Sequence, residues 1–138
     1  MRNAIFILLL SFITLTSFVS VNNKYKAAPV LQFETMSYDL GTLKEDEIKG
    51  ATFKFTNTGN APLIITEVEK SCGCTQPEWS MEPVMPGKTG EISIKFSAKG
   101  QPKGFFRKTF NVYSNIEQER KPILMIKGTI EKGKVAKK

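Results

Sequence analysis

The sequence predicts an all-β protein, an antiparallel β-sandwich of about seven strands, and three observations support this fold class. Short segments alternate apolar and polar residues with a period of two, the pattern of strands that bury one face. Glycine, proline and asparagine residues that favour turns separate these segments at short intervals. No long helical period follows residue 20. A closed barrel has the same periodicity and is the alternative fold.

The first 20 residues, MRNAIFILLLSFITLTSFVS, have the composition of a secretory signal peptide. Their apolar run, from Ala4 to Val19, is shorter than the span of about 20 residues that a membrane helix needs. Because no clean A-x-A cleavage site follows, an uncleaved signal-anchor is the alternative. We therefore predict an exported protein, periplasmic or at the cell surface, with a signal peptide (1–20), a linker (21–29), one domain (30–131) and a basic C-terminal tail (132–138).

The first strand is predicted between Phe33 and Leu40, with a bend at Met36–Ser37 that splits it in two. Residues 42–49, TLKEDEIK, contain helix formers but lie between strand-like segments, so we predict a loop with a short edge strand there. Residues 51–56 then alternate strictly and place three apolar side chains on one face: Ala51, Phe53 and Phe55.

The segment PLIITEVEK, which follows the turn NTGNAP, is rich in β-forming residues but has a mixed phase. Leu63 and Ile65 share one parity, whereas Ile64 and Val68 share the other. A β-bulge inserts one residue and shifts the alternation by one position. We therefore predict a bulge near Thr66.

The second half of the chain shows three further strands, at 90–97, at 109–114 and at the end of the domain, with turn sequences between them. In the last of these, the apolar residues share a face with Gly128. The predicted core of the whole domain consists of the inward-facing apolar residues Phe33, Tyr38, Leu40, Phe53, Phe55, Ile65, Val68, Trp79, Ile92, Ile94, Phe96, Phe110, Val112, Leu124, Ile126 and Ile130.

The chain is basic, with a formal net charge of +7, and contains no histidine. Its C-terminal stretch IKGTIEKGKVAKK is the most lysine-rich part, with Lys127, Lys132, Lys134, Lys137 and Lys138. Such a stretch attracts anionic surfaces or, as we favour here, forms a solvated chain end. Nucleic acid is not an expected partner of an exported protein.

Most catalytic chemistries lack their residues in this chain. Without histidine, neither Ser-His-Asp nor Cys-His arrangements form. The GKT within PGKTG lacks the upstream glycine and the following helix of a phosphate-binding loop. The clustered acids lie in polar stretches that read as solvated loops: Glu45, Asp46 and Glu47, then Glu117 and Glu119. We therefore predict no enzyme and no cofactor.

The chain's two cysteines, Cys72 and Cys74, lie in KSCGCTQPEW with one glycine between them. We favour a structural interpretation, in which a tight turn packs both sulfur atoms beside Trp79 and their oxidation to a disulfide fixes the turn. An exported protein enters an oxidising compartment, where such a disulfide forms and persists.

Two functional interpretations of this motif stay open. A redox pair would cycle between dithiol and disulfide, with Gly73 permitting the small ring and Lys70 lowering a thiol pKa. A soft-metal site would hold Cu(I) between the two thiolates, with Met81 and Met85 as thioether ligands. A closed zinc site would need further ligands from a second chain.

Several stretches of the chain carry a family resemblance. They are DLG at 39–41, FKFTNTGNAPLII at 53–65, SCGCT at 71–75, PG at 86–87 and ISIKF at 92–96. Together they span roughly residues 33–130 and resemble the bacterial exported family called domain of unknown function 1573, DUF1573. The resemblance implies an immunoglobulin-like sandwich related to the major sperm protein and to Hydin-type domains, most of which act as binding or assembly modules.

We therefore expect a non-enzymatic exported module that binds or scaffolds a protein or another component of the cell envelope, through a strand edge or its loops. The alternative function is thiol redox chemistry or Cu(I) handling at Cys72 and Cys74. Membrane contact is expected only through an uncleaved leader.

Overall fold

The computed structural model describes residues 27–117 and 121–131, which form two four-stranded sheets packed face to face. The strands are β1 (Leu31–Phe33), β2 (Ser37–Leu43), β3 (Ile48–Asn57), β4 (Ile65–Lys70), β5 (Thr75–Trp79), β6 (Thr89–Ser97), β7 (Gly104–Ser114) and β8 (Ile123–Ile130). Their order is β1-β3-β6-β5 in one sheet and β2-β8-β7-β4 in the other. Every pair is antiparallel except β2 and β8, which run parallel. The predicted sandwich is confirmed, and the open sheets rule out the closed barrel for these residues.

The predicted split of the first strand is confirmed, because its two halves join different sheets. β1 pairs with β3, and β2 pairs with β8. The break lies at residues 34–36, where the Met36 carbonyl accepts a hydrogen bond of 2.9 Å from Met125 of β8. This split gives eight strands where the sequence predicted about seven.

The predicted loop with a short edge strand over residues 42–49 is confirmed only in part. Thr42 and Leu43 belong to β2, and β3 already begins at Ile48, so only residues 44–47 form a turn. Leu43 is fully buried. The sequence pattern did not indicate that Leu43 faces inward, because a register shift of β2 between Asp39 and Thr42 interrupts the period-two alternation.

The predicted core is largely confirmed, with three corrections. Tyr38 is 37% exposed and covers the edge of the core, its ring 5.1 Å from that of Phe53 in an edge-on contact. Phe33 and Trp79 are only partly buried against the core. The core also includes apolar residues that the prediction omitted: Leu43, Ala51, Leu63, Ala98 and Phe106.

The omission of Phe106 has a clear sequence cause. Residues 98–104 read as a turn and TFNVYS as the next strand, whereas β7 begins at Gly104. Two adjacent phenylalanines, Phe105 and Phe106, blur the alternation, although only Phe106 faces inward, where its ring stacks on Phe96 at 4.3 Å. Phe105 is 71% exposed on the outer face.

The predicted bulge near Thr66 is confirmed by a register shift in the β4–β7 pair between Ile65 and Glu67. Because the shift inserts one residue, Ile65 and Val68 both face the core, at 1% and 4% exposure. On β8, a Cβ at Gly128 would lie 2.6 Å from the carbonyl oxygen of Gly41, so only glycine permits this approach of β2.

Asn57, the last residue of β3, is a fully buried polar residue that connects three segments. Its Nδ2 donates to the carbonyls of Ala61 and Val84, both at 2.8 Å. Its Oδ1 accepts from the backbone N–H groups of Gly59 at 3.0 Å and Val30 at 3.3 Å. The side chain therefore fixes the turn after β3, the loop before β6 and the approach to β1 at once.

We expect Asn57→Ala to lower the free energy of unfolding by about 2–4 kcal/mol, because it leaves several buried backbone groups without their hydrogen-bond partner. Urea denaturation measures this loss. Asn60→Ala is the matched control, since Asn60 accepts one exposed bond of 2.7 Å from Ala28. Equal midpoints for wild type and Asn57→Ala would rule out the connecting role of Asn57.

Candidate functional site

The C-x-C motif lies where the chain crosses between the two sheets. β4 is an edge strand of one sheet and β5 an edge strand of the other, so residues 71–74 carry the chain across the side of the sandwich. Cys72 and Cys74 form a disulfide, with their Cα atoms 5.4 Å apart. Gly73 between them does not have a positive φ and has open space around it, so the disulfide does not use the special backbone conformations that glycine permits.

Hydrogen bonds tie this crossover to both sheets. Ser71 donates its N–H to the carbonyl of Thr109 in β7 at 3.2 Å, and the Ser97 N–H of β6 donates to the carbonyl of Cys74 at 3.0 Å. The buried Thr75 hydroxyl donates to the carbonyl of Cys72 at 3.1 Å. Because Cys74 also packs against the core, the disulfide holds a short connection that is already anchored at both ends.

The structure separates the residues that the metal interpretation needs. Met81 and Met85 follow β5, whereas the cysteines precede it, and a strand of this length spans about 17 Å. The same distance separates Cys74 from Trp79, so the sulfur atoms do not lie beside Trp79 as predicted. Among residues 27–117 and 121–131, no group of three or more His, Cys, Asp or Glu residues could hold a metal ion.

Three of the four sheet edges carry features that discourage further strand pairing. β1 has only three residues. On β2, the Asp39 side chain accepts the Gly41 N–H at 2.8 Å, and the Lys49 ammonium donates to the Leu40 carbonyl at 2.8 Å. Both bonds lie at the register shift of β2, which interrupts the regular strand that an incoming partner would need.

On β5, proline blunts the third edge. The hydrogen bond from the Ser97 N–H to the Cys74 carbonyl shows which residues of β5 direct their backbone groups towards β6. The backbone groups of Gln76 and Glu78 point towards β6, and those of Pro77 point outward. Proline has no N–H group, and the outward side of β5 therefore lacks a donor at its centre.

β4 presents the fourth edge without such a block. The hydrogen bond from the Ser71 N–H to the Thr109 carbonyl shows which residues of the strand bond to β7. The backbone groups of Glu67 and Glu69 point towards β7, whereas those of Val68 and Lys70 point away from it. Within the described part of the chain, these outward N–H and C=O groups have no hydrogen-bond partner. The edge of β4 is thus an open pairing surface of the sandwich, as is the stretch of β3 that the three-residue β1 leaves uncovered.

The outer face beside this edge is acidic. The Glu69 carboxylate accepts hydrogen bonds from the Asn111 amide at 2.9 Å and the Tyr113 hydroxyl at 3.1 Å. These two bonds, that from Asn111 first, hold the pKa of Glu69 below its ordinary value. The same carboxylate raises the pKa of Tyr113. With the exposed Glu67 two positions before it, Glu69 forms a negative stripe along β4.

The other charged groups named from the sequence lie elsewhere. Glu45 pairs with Lys103 at 2.6 Å, and the Glu47 carboxylate accepts the Lys44 N–H at 3.0 Å, in the exposed turn before β3. Lys127 belongs to β8, 3.9 Å from Asp39, and is not part of a solvated tail. The signal peptide, Glu119 and the tail lysines Lys132, Lys134, Lys137 and Lys138 lie outside the described residues. In the described part, no helix is long and apolar enough to cross a membrane.

Solved structures with the same architecture show that the chain has an immunoglobulin-like β-sandwich fold. A protein of unknown function from Porphyromonas gingivalis W83 aligns with a TM-score of 0.62 and 18% identity, over 73% of this chain and 46% of that chain. The ASH / PapD-like domain 7 of human CEP192 aligns with a TM-score of 0.57 and 10% identity, over 76% and 87%. The YadV chaperone aligns with a TM-score of 0.54 and 14% identity, over 74% and 52%.

The family model described as "Protein of unknown function (DUF1573)" matches residues 31–130, and the chain belongs to this family. The resemblance seen in the sequence is thereby confirmed. The chain spans less than half of the Porphyromonas gingivalis protein. A comparison with curated protein sequences found no match.

Replacing both cysteines by serine is expected to lower the free energy of unfolding by only about 1–2 kcal/mol, because the disulfide closes a very short loop. Urea denaturation of Cys72→Ser/Cys74→Ser, beside wild-type protein with and without a thiol reductant, measures the change. Reduced wild type should match the double variant. A variant that fails to fold would show that the crossover depends on the covalent bond.

Removing the Tyr113 hydroxyl should raise the pKa of Glu69 towards its ordinary value of 4.5, because the ionised carboxylate loses one donor. Carboxyl NMR titration of Tyr113→Phe measures this, with Tyr38→Phe as the matched control. Since the folded pKa is lowered, the contribution of Glu69 to stability is present above pH 4.5 and is lost as the pH falls through the folded value. An unchanged Glu69 titration would contradict the hydrogen bond.

Proposed function

We propose that this protein is a non-enzymatic, exported immunoglobulin-like module that binds another protein of the cell envelope by accepting one of its strands at the edge of β4. The unpaired backbone groups of Val68 and Lys70 carry the proposal. An added strand would satisfy these groups and extend the β2-β8-β7-β4 sheet. Export, to the periplasm or the cell surface, rests on the composition of residues 1–20.

The features of the β2 and β5 edges favour β4 over these two as the binding edge. Open edges expose a protein to aggregation, and the register shift of β2 and Pro77 of β5 each reduce that hazard. The acidic stripe of Glu67 and Glu69 disfavours self-pairing, because antiparallel pairing of two β4 strands centred on Val68 places Glu67 opposite Glu69. A strand with basic residues at these positions meets the stripe favourably.

Proline at position 70 tests the proposal, because it removes the outward N–H and leaves the β4–β7 bonds intact. We expect Lys70→Pro to weaken capture of the envelope partner about tenfold or more, since the proline ring also obstructs the incoming strand. Cross-linking in the envelope, followed by affinity measurement with the purified partner, gives the result.

Lys70→Ala is the matched control, because it removes the charge and keeps the N–H. It should retain capture, as should Cys72→Ser/Cys74→Ser, whose change lies in the crossover. Urea denaturation establishes that each variant is folded. Equal capture by Lys70→Pro and Lys70→Ala, or no envelope partner for the wild type, would refute strand addition at β4.

Thiol–disulfide exchange at Cys72–Cys74 is the second candidate function, favoured by the fact that both cysteines are only partly buried. In such a step two partner thiols become a disulfide while Cys72 and Cys74 become thiols, so two electrons and two protons pass to this protein. Intact-mass analysis of the exported protein, with and without alkylation, distinguishes the states. A pair that stays fully oxidised in the envelope and resists dithiol reductants would eliminate this candidate.

A further inference from the structure

A second open strand edge, separate from β4, lies in the other sheet. β1 has only three residues, and its pairing with β3 ends at the 3.0 Å hydrogen bond from the Glu34 N–H to the Lys54 carbonyl. The chain then leaves for the opposite sheet, where β2 begins at Ser37. Residues 48–53 of β3 therefore form an edge of the β1-β3-β6-β5 sheet that no strand of the described part covers.

The backbone groups along this stretch alternate in direction. The Asn57 N–H donates to the Lys88 carbonyl at 3.0 Å, in line with the β3–β6 ladder, so the odd-numbered residues of β3 bond to β6. The N–H and C=O groups of Ile48, Gly50 and Thr52 point to the uncovered side instead. These groups have no hydrogen-bond partner in the described part of the chain.

The side chains beside these backbone groups carry no charge. Ile48, Gly50 and Thr52 share the outer face of the sheet, and Ile48 is 68% exposed. Lys49 faces the other way, and its ammonium donates to the Leu40 carbonyl at 2.8 Å. The edge thus lacks the outward-facing charges that commonly keep strand edges from pairing.

We infer that this edge pairs with the same edge of a second copy of the chain, antiparallel about a two-fold axis at Gly50. Pairing centred on Gly50 places Ile48 opposite Thr52 of the second copy and forms about six backbone hydrogen bonds. Each Ile48 then packs on a β-branched Thr52, a favourable cross-strand pair. The glycines at the axis leave the two backbones free to approach.

The second copy is the occupant that this edge fits, because the edge is complementary to itself. The same operation at β4, centred on Val68, places Glu67 opposite Glu69, whereas at β3 it places Ile48 opposite Thr52. Such a pairing is closed, since each copy contributes the same edge once, and it covers backbone groups that otherwise promote aggregation. The inference does not depend on strand addition at β4.

Sedimentation equilibrium of the exported protein measures the association. Because so short a strand pair buries less than a standard interface, we expect a dimer with a Kd of about 10 μM to 1 mM. Amide exchange followed by NMR locates the contact. The N–H groups of Ile48, Gly50 and Thr52 should exchange more slowly as the concentration rises, whereas those of Val68 and Lys70 should not. A protein that stays monomeric up to about 1 mM, or a dimer that protects the β4 amides instead, would overturn the inference.

Charge-swap variants test the register. Ile48→Lys/Thr52→Lys sets lysine opposite lysine in both cross-strand pairs and should weaken dimerisation about tenfold. Ile48→Lys/Thr52→Glu sets opposite charges at the same positions and should dimerise within about threefold of wild type. Gln76→Lys/Thr89→Lys, exposed on the same face away from this edge, is the matched control and should behave like wild type. Urea denaturation establishes that each variant is folded. Equal association of the Lys/Lys and Lys/Glu variants would refute pairing at Gly50.

Discussion

Burial of one face of each sheet against the other is the interaction on which the rest of this structure depends. The inner faces meet through fully buried side chains such as Phe53, Phe96 and Phe110. This burial supplies the main driving force for the fold, and it requires every strand to keep its inward residues in phase. Where a strand loses phase, a bulge restores it, as between Ile65 and Glu67.

The two open sheets have four edge strands, which differ in how readily they can pair with a further strand. The register shift of β2 and Pro77 of β5 reduce pairing at those two edges, whereas the outward backbone groups of Val68 and Lys70 leave β4 able to pair. The crossover at residues 71–74 joins the open edge to the blunted edge of β5. The disulfide there holds a connection that hydrogen bonds to both sheets already position.

Two acidic residues, Glu67 and Glu69, border the β4 edge of a protein whose net charge is +7. Since opposite charges accelerate and orient encounters, the strand proposed to pair there would carry basic residues.

The sequence by itself determined the fold class, most of the core and the bulge at Thr66, because period-two alternation is a local property that burial of one face imposes. Only the tertiary structure decided which strands lie at edges, that Asn57 joins three segments, and that Cys74 and Met85 lie apart. Strand order and the partners of a buried amide depend on residues far apart in the chain, and alternation along one strand carries no information about its neighbours. The open edge at β4 could not be predicted from the sequence for that reason.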